Sequence, residues 1–398
     1  RKNSKLKNKK KIDLVILAGG FGTRIRKYLN GKPKPMIKFD KFDFLDLLIR
    51  KICTYDINKV FILAGYKGEK IKKKYHDKKI NLVDIECIIE KKPRGTAGCL
   101  SQIKKRITDN FIVVNGDTFF DIDYNKVINF NLKNTFSFIS LAKNKNYKTN
   151  KKLINLSTKN NKITYSKSNF INGGIYKFKK RIFKYIKKYN CSLENDVLPE
   201  LIRRKKVSGK KFNNFFLDIG TPSNLFYAKR KLISYLKRPA IFLDRDGTIN
   251  KDLGYTHQIK DLKFCKGVID GLQKLQKKKF QLFIITNQAG IGKGFFSLKE
   301  FYKFQQFMKS ALIKKNIFIN DIEFCPYHPN ATVKKFKKQT SLRKPGNLMI
   351  RRILNRWPVN LPRSIMIGDQ KSDYLCAKKS NIKFYYTEKD FMKVVSKI

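Results

Sequence analysis

The sequence is short of acid. It has 30 Asp and Glu against 90 Lys and Arg, a formal net charge of +60. Such an excess invites a nucleic-acid reading. The lysines are scattered, however, and no helix carries a basic stripe; the drift runs through the whole chain together with Asn, Ile and Phe. Nucleic acid is therefore not the expected partner, and the charge favours anionic, phosphorylated small molecules instead. Cysteine is also scarce. Cys53, Cys87, Cys99, Cys191, Cys265, Cys325 and Cys376 are odd in number and irregular in spacing, and several sit in apolar runs. That pattern excludes a disulfide framework and fits reduced, buried thiols in a cytoplasmic protein. Long apolar runs are missing: none approaches the ~18 residues of a membrane helix, so no membrane insertion is expected. The opening RKNSKLKNKKKIDLVILAGG imitates a signal peptide, but Asp13 interrupts it and the apolar part, Leu14 to Ala18, is too short. Residues 1–11 read as a disordered basic arm leading into a buried strand.

What is present is enough for real cores: 398 residues, 41% of them hydrophobic and 13% aromatic, which predicts two or three domains. From Ile12, short apolar runs (IDLVILA, KVFILAG, LVDIECII, NFIVVNGD) alternate with amphipathic stretches such as DFLDLLIRKICTY. This is the rhythm of a parallel α/β sheet. After Thr135 strand-like pieces follow (TFSFISLA, KLINLS, NKITYS, GGIYKF), then helical segments near Lys180–Lys188 and Leu193–Arg204. A second alternation starts at Ala240, with AIFLD, FQLFIIT, DIEFC and SIMIGD as strands and helices over Gly267–Lys278, Leu298–Lys314 and Asn347–Asn355. The two halves show no internal repeat. The expected domains are 12–232 and 239–398, with 233–238 as linker.

In the first half, LAGGFGTR follows the first strand. Gly19, Gly20 and Gly22 lack Cβ, so backbone N–H groups can turn towards an anion. The loop fails the dinucleotide fingerprint, because Ile25 stands at the third glycine position, and no Gly-Lys-Ser/Thr follows to make a P-loop. Arg24 ends it, GKPKPM holds Lys34 between prolines, and NGDTFFDID puts Asp117 just past a strand end. FFLDIGTP offers Asp218 in a like setting. Two carboxylates, a glycine loop and fixed cations suit a metal-assisted attack on a nucleotide phosphate.

LAGGFGTR, PKPM, EKKPRGTAG, NGDT, NGGIY, SLENDVLPEL and FLDIGTP, in this order, resemble the sugar-1-phosphate nucleotidyltransferases over about residues 12–232. The nearest branch is the one that activates D-glycero-D-manno-heptose 1-phosphate with GTP. The resemblance implies a Rossmann-like domain in which Gly19, Gly20, Gly22, Thr23 and Arg24 hold the triphosphate and Lys34 meets the reacting phosphates. It implies Mg²⁺ on Asp117 and Asp218, base contacts at Glu90 and Gly95, and sugar contacts at Asn172, Gly174 and Glu194. Arg94 stands where the base strip usually has Leu. Ser166-Lys167-Ser168 stands where Glu-Lys-Pro is usual, and Lys167 is assigned a sugar-phosphate contact.

In the second half, IFLDRDGTIN places Asp244 and Asp246 two residues apart at a strand end. Like charges this close need a cation or a proton between them. Thr286 and Asn287 end the next strand, Lys344 lies in LRKPG, and Gly368 and Asp369 end SIMIGD. In this order the four motifs resemble the haloacid dehalogenase superfamily, over residues 239–398 and with a minimal cap. The resemblance implies Asp244 as nucleophile, Asp246 as acid and base, and Thr286 and Lys344 on the phosphoryl oxygens. Mg²⁺ would sit between Asp244, the backbone of Asp246, and Asp369. LDRDGTINKDLGY, TNQAGIGKGFF, CPYHP and RKPG bring the heptose 1,7-bisphosphate 7-phosphatases nearest, with histidinol-phosphate phosphatase as runner-up. Arg343 would then recognise the sugar's other phosphate, and Asp252 to Tyr255 would line the pocket. Gln370 replaces the usual basic residue after Asp369. Such phosphatases usually carry a structural zinc as Cys-x-His and Cys-x-Cys; here Cys325 pairs with Tyr327, His328 comes one place late, and Thr340 and Leu342 fill the second pair. A closed zinc site needs four N or S ligands, so no zinc is expected. Together the halves imply two consecutive steps towards a nucleotide-activated heptose. The rival is a hexose 1-phosphate nucleotidyltransferase fused to another sugar phosphatase.

Overall fold

The computed structural model describes residues 12–143, 156–166 and 168–398. The basic arm 1–11, Lys167 and most of the KLINLS stretch lie outside the described residues. Leu14, Val15 and Ile16 are each fully buried, so the first strand, Ile12–Ala18, is covered on both faces, as a continuous apolar run predicts. It pairs in parallel with Ile57–Ala64 and Asn110–Asn115, and Ile57–Ala64 pairs in parallel with Val83–Ile89. Antiparallel and mixed pairing of Phe170–Lys179, Ser137–Lys143 and Val207–Phe212 extends this to a mixed sheet of ten strands among the described residues. The second half builds a separate, wholly parallel sheet of five strands: Asp321–Cys325, Gln281–Asn287, Ala240–Leu243, Ile365–Gly368 and Lys383–Tyr386, in that spatial order. The molecule is thus a Rossmann-like nucleotidyltransferase fold followed by a haloacid dehalogenase-like α/β fold.

Two helix boundaries differ from the sequence reading. Lys180–Lys188 is not an α-helix: a 3₁₀ turn covers Lys180–Tyr185 and ends there. With four lysines and an arginine in nine residues, only Ile182 and Phe183 are buried, too few to hold a longer helix against the sheet. The helix Pro222–Leu236, started by the Thr221 cap and by Pro222, runs four residues into the expected linker 233–238 because Leu232 anchors its last turns in the core. Elsewhere the local signals hold. Ser297 and Glu300 form the capping box that starts the helix Leu298–Lys314, worth about 1 kcal/mol.

The halves meet in a buried joint. Arg50 Nη1 lies 3.3 Å from Asp321 Oδ2, which also accepts from the Trp357 indole at 3.2 Å. Lys309 Nζ donates to the carbonyls of Cys53 (2.5 Å) and Asn81 (2.9 Å), and Asn81 Nδ2 donates to Ile319 O at 2.9 Å. The Tyr55 and Phe318 rings pack at 4.7 Å. Burial pulls Lys309 down to about 8, against the nearby Cys53, Asp56 and Asp321. An unfolded lysine keeps its proton to higher pH, so between about pH 8 and pH 10 the unfolded chain binds more protons than the native one at this residue. The native state gains there, and gains nothing below about pH 7.5. In chemical denaturation, the wild-type-minus-Lys309→Met difference in unfolding free energy should rise across pH 8–10 and stay level between pH 6 and 7.5.

Candidate active sites

In the first half a cavity of about 490 Å³ opens at the C-terminal ends of the parallel strands. Gly19, Gly20, Lys34, Glu90, Gly95 and Asp117 line it. Lys34, held in the Lys34–Met36 turn between Pro33 and Pro35, is 7% exposed, and its Nζ is 2.5 Å from Asp117 Oδ2. Asp218 arrives by another route. Phe216–Asp218 pairs antiparallel with Thr118–Phe120, which sets Asp218 opposite Thr118, next to Asp117. Burial, and then the Asp117 charge, raise the Asp218 pKa against the pull of Lys34 and Arg24. The two carboxylates and two cations therefore act on one another. Gly22 (φ 62°) starts the turn Thr23–Tyr28 that carries Arg24; Gly22, Thr23, Arg24 and Asp218 stand beside the cavity wall rather than in it.

A Cβ on Gly19 would come 2.6 Å from Glu90 Oε1, so the loop needs glycine to lie on that carboxylate. Glu90 Oε2 accepts from the Arg94 N–H at 3.1 Å, and burial raises its pKa. Among the described residues, the expected sugar residues Asn172, Gly174 and Glu194 do not line the cavity. Instead, Asn172 donates to the Tyr176 hydroxyl (2.8 Å), which donates to Glu194 Oε1 (3.1 Å). Glu194 Oε2 accepts from Thr96 at 2.7 Å, and Thr96 is in the wall. Gly174 (φ 69°) packs against Asn115, also in the wall. Tyr66 and Asn190 also line the cavity and lie in no motif; Phe21, inside LAGGFGTR, lines it too, though no role was expected of it.

In the second half a cavity of about 430 Å³ lies at the C-terminal ends of its own strands. Asp244, Asp246, Asp252, Tyr255, Thr286, Asn287, Arg343, Lys344 and Asp369 all line it. Lys344 Nζ sits 2.8 Å from Asp244 Oδ1 and 2.6 Å from Asp373 Oδ1. Burial alone would lower the Lys344 pKa, but the two carboxylates hold it above the usual value. Burial is also the main force on Asp244, whose pKa is pushed up to about 7 despite Lys344, with Asp373 and Asp246 adding to the rise. Asp244, Asp369 and Asp373 bring carboxylate oxygens within 4.8 Å of one another. The sequence reading missed Asp373; its place four residues after Asp369, in the first turn of the helix Lys371–Lys379, was the available signal. The Asp246 carboxylate is not part of this cluster. It accepts from Arg245 Nε (3.0 Å) and Nη2 (2.6 Å), Asn250 Nδ2 (2.9 Å) and Gln288 Nε2 (2.9 Å).

Lys293 and His328, also missed, share the wall with Arg343. Lys293 Nζ is 2.8 Å from the Tyr255 hydroxyl. Slight burial and the charges of Arg343 and Lys293 lower the His328 pKa, so these three groups converge. The segment from Cys325 is held by packing. Leu342 and Cys325 share one apolar cluster, the Cys325 thiol approaches the Tyr327 carbonyl, and Thr340 Oγ1 accepts from the Leu342 N–H.

The nucleotidyl transferase family model matches residues 14–234, more than half of the chain. The chain belongs to the nucleotidyl transferase family. Its transferase half is followed by a phosphatase half. A model described as HAD-hydrolase-like matches residues 341–392. The D-glycero-beta-D-manno-heptose-1,7-bisphosphate 7-phosphatase of Yersinia pestis is 38% identical over 144 residues, 36% of this chain and 77% of that protein. The protein of the same name from Escherichia coli K12 is 38% identical over 144 residues, 36% of this chain and 75% of that protein. The phosphatase half belongs to their family. The crystal structure of HddC from Yersinia pseudotuberculosis is 28% identical, with 56% of this chain and 99% of that one covered, at a TM-score of 0.47. The chain is a nucleotidyltransferase and a phosphoric monoester hydrolase in one. No helix among its described residues is long and apolar enough to cross a membrane.

Proposed function

We propose that the phosphatase half removes the 7-phosphate of D-glycero-D-manno-heptose 1,7-bisphosphate, and that the transferase half moves a guanylyl group from GTP onto the resulting heptose 1-phosphate, releasing pyrophosphate. The observation that carries the reading is the convergence of Arg343, Lys293 and His328 on the wall of the Asp244 cavity. A monophosphate needs only the Thr286 and Lys344 end of that cavity. A second pair of cations, Arg343 and Lys293, with the His328 imidazole beside them, suits a substrate with a second phosphate. The 38% identity with phosphatases of this name supports the same choice.

In this reading an Asp244 oxygen attacks phosphorus, and the bond from phosphorus to the C7 oxygen breaks. Asp246 gives its proton to that oxygen and then takes one from the water that cleaves the aspartyl phosphate. Lys344 and Thr286 hold the phosphoryl oxygens. In the transferase half the sugar phosphate oxygen attacks the α-phosphorus, with Lys34 and Arg24 placed to hold the charge that develops. Magnesium suits both donor sets. Asp369 Oδ1 is buried with no hydrogen-bond partner among the described residues, and Asp244 stands beside it; Asp117 and Asp218 form the corresponding pair. When bound there, Mg²⁺ would neutralise phosphate oxygens.

The test offers heptose 1,7-bisphosphate with each nucleoside triphosphate in turn and follows phosphate, pyrophosphate and sugar nucleotide. Phosphate release with a sugar nucleotide formed from GTP is expected. Release from histidinol phosphate instead, or transfer only to a hexose 1-phosphate, overturns the reading. Arg343→Met should raise KM for the bisphosphate about 10-fold or more and change hydrolysis of a simple aryl phosphate little, since only the former has a second phosphate to lose.

A further inference from the structure

The joint between the halves fixes where the two cavities point. On the transferase side every side chain or carbonyl in it precedes a parallel strand or ends a helix that does. Arg50, Cys53 and Tyr55 lead into Ile57–Ala64, and Asn81 leads into Val83–Ile89. On the phosphatase side Asp321 opens its strand and Phe318 and Ile319 lead into it, while Gln281, the first residue of its own strand, reaches the Leu236 carbonyl at 3.3 Å. Lys309 comes from the last turns of Leu298–Lys314, the helix that returns to that same end. So each sheet meets the other at the N-terminal ends of its strands. Both cavities lie at the C-terminal ends, and neither is lined by any described residue of the other half. Strands of seven or eight residues put each cavity about 20 Å from the joint at ~3.3 Å rise per residue.

The joint is also not a hinge surface. Its ionic and polar groups, Arg50, Asp321, Lys309 and Asn81, are all nine-tenths buried or more. Opening it would break the Arg50–Asp321 pair, both Lys309 hydrogen bonds and the Asn81 hydrogen bond at once and expose the Tyr55–Phe318 packing to water.

We infer that the two active sites are back-to-back stations that face away from each other, and that the sugar phosphate made at one reaches the other through bulk solvent. This rests on the proposed function for the identity of the sugar, but not for the geometry. The fusion then acts by keeping the two activities in fixed one-to-one amount, since the product is not handed across.

Two measurements on the full chain test it. In the first, heptose 1,7-bisphosphate labelled in its carbon skeleton is converted in the presence of GTP, Mg²⁺ and a pool of unlabelled heptose 1-phosphate. The sugar nucleotide formed in each interval should carry the specific radioactivity of the free pool in that interval. Enrichment more than about two-fold above the pool overturns the inference. The second needs no substrate. Spin labels are placed on Phe21→Cys, 51% exposed at the transferase cavity, and Leu253→Cys, 55% exposed beside the phosphatase cavity. The partly exposed Cys265 is replaced by serine and the buried cysteines are left in place. Two 20 Å paths, even at right angles, leave about 30 Å between the labels, so a dipolar distance beyond that is expected. A distribution centred below about 30 Å overturns it. Should neither sugar yield a nucleotide product, the proposed substrate fails and the label distance alone decides the inference.

Discussion

Asp244→Asn should lower phosphate release from the bisphosphate by on the order of 10⁴-fold or more, and leave nucleotidyl transfer to heptose 1-phosphate within about two-fold of wild type. The amide keeps the shape of the side chain but cannot form the phosphoryl bond, and loss of a nucleophile that acts with its partners as a unit removes most of the rate. Folding should survive, because Lys344 keeps its 2.6 Å contact with Asp373 when Asp244 loses its charge. A thermal unfolding curve checks that point, and rapid-quench phosphate assays read the rate. Residual release above about 1% of wild type would assign the nucleophile elsewhere.

The mirror-image experiment has the second largest effect. Asp117→Asn should lower sugar-nucleotide formation on the order of 10³-fold while phosphate release is unchanged. Asp117 Oδ2 is the partner of Lys34 at 2.5 Å, and its charge is one cause of the raised Asp218 pKa. Removing it takes one carboxylate from the pair suited to the cation and frees Lys34 from its fixed position, and charge stabilisation of this kind is worth about 10²–10³ per group. Pyrophosphate release from GTP with heptose 1-phosphate reads the loss. A fall in both activities together would mean that the two cavities are one functional site.

Much of this was legible in the sequence because the reacting groups sit at strand ends, where a short apolar run and the carboxylate after it are neighbours in the chain. Asp117, Asp244 and Asp369 each follow such a run directly or within two residues. Groups that arrive from across the fold were not. Glu194 was expected at the sugar, but its hydrogen bond to Thr96, 98 residues away along the chain, which ties it to the transferase wall, was not. Lys293 stands inside the quoted TNQAGIGKGFF, but the motif alone gives it no role, and among 90 basic residues its charge does not single it out. The joint was invisible for another reason. Apart from the Gln281–Leu236 hydrogen bond, its contacts at Arg50, Cys53, Tyr55 and Asn81 join residues 228 to 271 positions apart, and no local pattern marks Lys309, which reads as one more polar residue on an amphipathic helix. The Lys180–Lys188 stretch buries only Ile182 and Phe183, so it has too little apolar face to extend past the 3₁₀ turn.

The central claim is that two independent phosphorus-transfer centres stand at the ends of two separate sheets. It is tested most directly by mixing. Neither Asp244→Asn nor Asp117→Asn alone should turn heptose 1,7-bisphosphate and GTP into sugar nucleotide. An equimolar mixture of the two should do so, at about the rate of wild type at half its concentration; a mixture as inactive as its components would contradict the account.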